Sequence, residues 1–144
     1  MNQFDEYQKM MRYKYGYHSF FIIAVLSIVN FNLEVFFDIQ WAETKSLEFI
    51  LFIFLAVGYS IVMNVYKGAH FTKKQNSNVY AFFFLFTGLA TIYLSASPYS
   101  PLMIDGLLTS NSIMLVSGLI WTSIPVAYFT RLLVDKRRNE NDSD

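Results

Sequence analysis

Cysteine is absent from this 144-residue chain, which excludes disulfide frameworks, thiolate metal sites and thiol catalysis. Charge is scarce as well. Asp, Glu, Lys and Arg make up 15% of the residues, where an ordinary soluble domain carries about a quarter, so a water-exposed surface could not be clothed. Basic and acidic residues balance at 11 each, and the cationic excess needed to bind nucleic acid is missing; nucleic acid is not an expected partner. The two histidines, His18 and His70, have no second His, Cys or carboxylate at metal-ligand spacing, so no metal is expected. No serine stands in a nucleophile elbow and no glycine-rich loop follows a strand. Neither catalysis nor a cofactor is expected.

What is abundant is apolar surface: 54% hydrophobic and 19% aromatic residues. A helix needs about 18 or more apolar residues to cross a hydrocarbon core of ~30 Å. Four runs qualify, 17–37, 47–66, 79–97 and 113–133, together more than half of the chain. The stretches FFIIAVLSIV, FILFIFLAVG and AFFFLFTGLA lack the polar stripe of a surface helix in a soluble bundle. The charged residues inside the runs, Glu34, Glu48 and Arg131, lie close to run ends, where they reach the interface. The expected fold is all-α, an integral membrane four-helix bundle running up-down-up-down, with one transmembrane domain over 17–133. The lead-in 1–16 spaces Phe4, Tyr7, Met11 and Tyr15 at helical intervals among Lys9, Arg12 and Lys14, which predicts a short amphipathic helix on the inner surface. That lead-in and the lack of a small-residue cleavage site argue against a cleaved signal peptide. The tail 134–144, with KRRNENDSD, is expected to be disordered. The loop PYSPLMIDGLL is expected to dip into or lie on the outer surface.

Orientation follows from the basic residues. Lys9, Arg12, Lys14, Lys67, Lys73, Lys74, Arg131, Lys136, Arg137 and Arg138 fall on one side, against Lys45 alone on the other. Both termini are therefore expected in the cytoplasm. Arg12, Lys14, Lys73, Lys74, Arg137 and Arg138 set this topology and face anionic headgroups. Trp41, Phe36 and Phe37 read as an outer aromatic belt, and Tyr13, Tyr15 and Tyr17 as an inner one.

Asn30, Glu34 and Asp38, spaced by four, share one helix face. A carboxylate in a membrane helix is a candidate proton carrier, although Glu34 lies near enough to an end to reach headgroup water, the reading preferred here. Thr87, Thr91 and Ser95 form a second stripe, while Ala56 with Ser60 and Ser123 with Ala127 repeat a small-xxx-small spacing. These are read as helix-packing positions. Asn64 reads as an interhelical hydrogen-bond partner, and Pro125 as a bend.

The opening DEYQKMMRYKYGYHSF, with Asp5, Glu6, Gln8, Arg12, Lys14 and Gly16 leading into the first run and Trp41 after it, resembles the start of uncharacterised small four-span membrane proteins of Gram-positive bacteria. The resemblance implies a bacterial plasma-membrane location and a partner on the cytoplasmic side. It carries no activity. The small multidrug-resistance exporters are also four-span chains with a glutamate in the first helix, but theirs sits near mid-membrane and their charge bias is weak. The expected function is thus association, as an accessory, regulatory or immunity-type protein in the lipid bilayer, with another membrane protein or a second copy (a homodimer) as partner. The alternative is a small proton-coupled or ion transporter using Glu34.

Overall fold

The computed structural model describes residues 4–72, 75–97 and 100–141. Four helices, α1 (Glu6–Phe37), α2 (Lys45–Tyr66), α3 (Ser77–Ser95) and α4 (Asn111–Asn141), are each long and apolar enough to cross a membrane. Between α3 and α4 lies a hairpin of β1 (Met103–Ile104) and β2 (Leu107–Leu108).

Two expectations at the ends are corrected. The lead-in is not a separate surface helix. Asp5 caps α1 through a reciprocal capping box with Gln8, and the helix runs unbroken for 32 residues into the first apolar run, because nothing between Gly16 and Tyr17 interrupts the backbone ladder. The tail is helical to Asn141 rather than disordered. Pairs spaced by four, Arg131 with Asp135 at 3.4 Å and Lys136 with Glu140 at 3.9 Å, support this extension. The loop expected to dip into or lie on the outer surface folds back on itself as the hairpin. Asp105 and Gly106 both take positive φ, 50° and 83°, the requirement of the tight turn that joins two antiparallel strands.

Cross-contacts define two ends. The α1–α2 connection joins the hairpin through Ala42 and Leu108. At the other end, the start of α1 meets the α2–α3 connection, and Tyr128 of α4 donates to Asn78 at the start of α3 (2.7 Å). The helices therefore alternate in direction. Their lateral order is not the chain order: α1 packs on α2, α2 on α4, and α4 on α3, so α4 is inserted between α2 and α3. Being an edge helix, α1 buries only 6% of its most apolar stretch, against 33% for α2.

The α3–α4 contact is set by glycine. A Cβ at Gly88 would stand 2.7 Å from the Thr122 backbone nitrogen, and one at Gly118 would stand 3.0 Å from that of Ile92. Likewise a Cβ at Gly58 would meet Ile120 at 2.8 Å across α2 and α4. Backbones touching without side chains between them maximise dispersion contact, the main cohesive term between helices in an apolar solvent. A Gly88→Ala substitution is expected to cost about 1–3 kcal/mol by overpacking, measured as a lowered unfolding midpoint in detergent. Gly16→Ala, which meets nothing within 4 Å, serves as the control; equal midpoints for the two variants would refute the close contact.

Candidate functional site

The stripe Asn30, Glu34, Asp38 does not act as one face. Asn30 is buried and turns toward α2, where its amide nitrogen donates to Glu48 Oε2 at 2.7 Å. Glu34 is 39% exposed and pairs with Lys45. Asp38 ends α1 in the left-handed conformation, its N–H donating to Glu34 O at 3.0 Å. Glu34 and Asp38, with Lys45 and Glu48, edge a recess of about 70 Å³, well below the roughly 300 Å³ of small-molecule pockets.

The buried carboxylate is Glu48 instead, 2% exposed. Sequence position alone placed it at a run end and so at the interface. In the fold its Oε1 accepts the N–H of Trp41 (3.0 Å) and of Ala42 (3.4 Å), so one side chain holds α1 and the α1–α2 connection at once. The Trp41 indole is part of the same network, its Nε1 donating to Asn30 Oδ1 at 2.6 Å. From there the bonding continues into the hairpin: Leu108 N donates to Trp41 O, and Glu43 N to Leu108 O, both at 2.9 Å. An apolar cluster of Ala42, Leu47 and Leu51 with Leu108, Ile113 and Val116 packs beneath. A signal for this existed. Glu48 stands four residues after the N-cap Thr44, in the first turn of α2, where a carboxylate meets unpaired N–H groups.

At the opposite end the lead-in grips the α2–α3 connection. Gln8 Nε2 donates to the carbonyls of Gly68 (2.9 Å) and Phe71 (3.2 Å), and Arg12 to those of Ala69 (2.8 Å, Nε) and His70 (2.9 Å, Nη2). The Arg12 guanidinium also lies 3.6 Å over the Phe4 ring. Arg12 was expected to face headgroups; four carbonyls beyond the end of α2 need donors, and the arginine fork supplies two. Tyr15, expected in the inner belt, is buried, and Ser19 donates to Ala56 O at 2.7 Å. Gln8, Arg12, Tyr15 and Ser19 thus form a seam at intervals of four, three and four, legible in the sequence as a polar stripe. Lys14 stays exposed near Tyr15, and Arg137 and Arg138 are exposed on α4. Lys73 and Lys74 lie outside the described residues.

The packing residues divide. Ala56, Ser95 and Ala127 are buried. Ser60 accepts from Asn64 (3.3 Å), Thr91 bonds the carbonyl of Thr87 (2.8 Å), and Ser123 that of Ile120 (2.7 Å), all within their own helices. The small residues at the tightest crossing, Gly88 and Gly118, stand beside these stripes and not in them. Pro125 is buried inside α4. Among the described residues no group of three His, Asp or Glu side chains could hold a metal ion. Searches of protein-family models, of curated proteins and of solved structures find no match to this chain.

Two outcomes follow. Glu48→Ala removes the acceptor for several buried N–H groups, at about 1–3 kcal/mol for each one orphaned, and should speed amide exchange at Trp41, Ala42 and Leu108, whereas Glu34→Ala should leave those amides protected. His70 is held below its ordinary value by burial and then by the nearby Arg12 charge, so on acidification the unfolded chain takes up this proton before the folded one does. Stability at this end should therefore fall as pH drops below about 6.5. Protection factors at residues 68–71, taken relative to the intrinsic exchange rate at each pH, should fall on acidification, and His70→Gln should flatten that dependence.

Proposed function

We propose that this chain is a small multi-pass protein of a bacterial plasma membrane, with both termini cytoplasmic, that acts by association rather than catalysis, as an accessory, regulatory or immunity-type protein. The observation that carries this reading is the inverted polarity of α1. The residues it buries are Gln8, Tyr15, Ser19 and Asn30, and those it exposes include Phe20, Phe21, Ile28, Phe31 and Val35. In water such a surface would be an association or aggregation site; in lipid, polar groups turn inward as interhelical glue and apolar ones face tails or another helix. The other edge helix, α3, exposes Phe82, Phe86 and Tyr93. The open row of helices leaves both edges free for a partner, either another membrane protein or a second copy.

The transporter reading has less support. Its carboxylate, Glu34, is engaged with Lys45 at the surface, and the inward pair of Asn30 and Glu48 is committed to fixed backbone and indole donors.

Because the chain has no cysteine, single introduced cysteines are clean probes. Asp105→Cys should react with a membrane-impermeant maleimide added outside cells and Asp135→Cys only after permeabilisation; the opposite pattern defeats the orientation. A photo-crosslinker at Phe31 or Phe86 should give one discrete protein adduct in intact membranes, and adducts to lipid alone at both positions would defeat association.

A further inference from the structure

Where the ends of α1, α2 and α4 meet, Tyr7, Tyr66, Lys67, Arg131, Asp135 and Arg138 line a cleft of about 310 Å³. We propose that this cleft binds the phosphate-bearing headgroup of an anionic lipid. The cations come from two elements. Lys67 is the residue that caps α2, while Arg131 and Arg138 lie seven apart on α4, with Asp135 between them, and so share one face. Against the three cations stands a single acid, and it orients one of them: Asp135 Oδ2 lies 3.4 Å from Arg131 Nε. The Arg131 guanidinium is further fixed by lying against Gly68, which has φ +70°, at a place where any Cβ would collide with it. Both terminal nitrogens lie beside Gly68, and the planar fork of N–H donors that the guanidinium holds there is the geometry that suits phosphate. Tyr7 and Tyr66 complete the cleft lining.

The surroundings favour a lipid over a free ion. The apolar run of α4 gives way to DKRRNE at Asp135, and Leu132, Leu133 and Val134 are exposed beside the cleft. A headgroup seated on the cations would have its chains along that apolar surface. None of the lining residues takes part in the Glu48 network or donates in the lead-in's grip, although Gly68, against which Arg131 lies, has its carbonyl held by Gln8. The proposal shares with the preceding function only the insertion of the helices in a membrane, and association can fail while lipid binding persists.

The full chain in mild detergent, titrated with phosphatidylglycerol and with phosphatidylcholine and read by native mass spectrometry, tests it. Lys67→Gln/Arg131→Gln/Arg138→Gln should weaken phosphatidylglycerol binding about tenfold or more, while Lys9→Gln/Lys45→Gln/Lys136→Gln, with the same loss of charge, should change it less than about twofold. Two single changes guard against misfolding of the triple variant: exposed Arg138→Gln should weaken binding, and Asp135→Asn should strengthen or preserve it. Equal losses in the two triple variants, equal binding of the two lipids, or displacement of phosphatidylglycerol by millimolar inorganic phosphate would each overturn the proposal, the last in favour of a soluble phosphate.

Discussion

The carboxylate of Glu48 joins parts of the chain that have no other reason to meet. It takes a hydrogen bond from the Asn30 side chain on α1 and two from the backbone at Trp41 and Ala42, and Trp41 in turn carries the hairpin that leads into α4. A carboxylate removed from water is tolerable only when its oxygens are occupied by donors. That requirement works in both directions, so the connection must stay folded over α2 for Glu48 to be buried, and α1 must present an amide at one position. The short sheet at this end has only a few backbone bonds and would be marginal alone. It persists because it is anchored to this network and to the apolar cluster below it.

The opposite end solves a related problem with other chemistry. Where α2 stops, its last carbonyls lack donors within the helix, and the connection to α3 adds more. Gln8 and Arg12 deliver side-chain donors to four consecutive carbonyls from 68 to 71. The lead-in is thereby an extension of a transverse seam on α1 that continues through Tyr15 and Ser19 to Asn30. Between the two polar ends, cohesion passes to shape. Gly88 and Gly118 let backbones approach until there is no room for a Cβ, Gly58 makes room for the Ile120 side chain, and Phe84 and Trp121, stacked at 5.3 Å, pack between α3 and α4.

Much of this was legible in the sequence and some was not. The four helices and their apolar character followed from run length, and the Asp5–Gln8 cap and the Asp105–Gly106 turn each have a local signature. The spacing of Asn30, Glu34 and Asp38 says which residues share a face of α1 and not which neighbour that face meets: Asn30 turns to Glu48, Glu34 pairs with Lys45, and Asp38 ends the helix. Glu48 and Arg12 were misread for one common reason: nearness to a run end suggests contact with water or headgroups, yet helix ends are also where unpaired backbone groups gather and need partners.

The sequence by itself determined that the chain is helical, that its four helices suit an apolar solvent, and that its basic residues are concentrated on one side. Those properties are sums over short windows of chain and need no knowledge of neighbours. Only the tertiary structure decided that α4 lies between α2 and α3, that Glu48 rather than Glu34 is the buried acid, and that Lys67, Arg131 and Arg138 converge on one cleft. Each of these depends on which helix faces meet. That is settled by backbone approach at a few glycines and by pairing of polar groups distant in the chain, which no local pattern encodes.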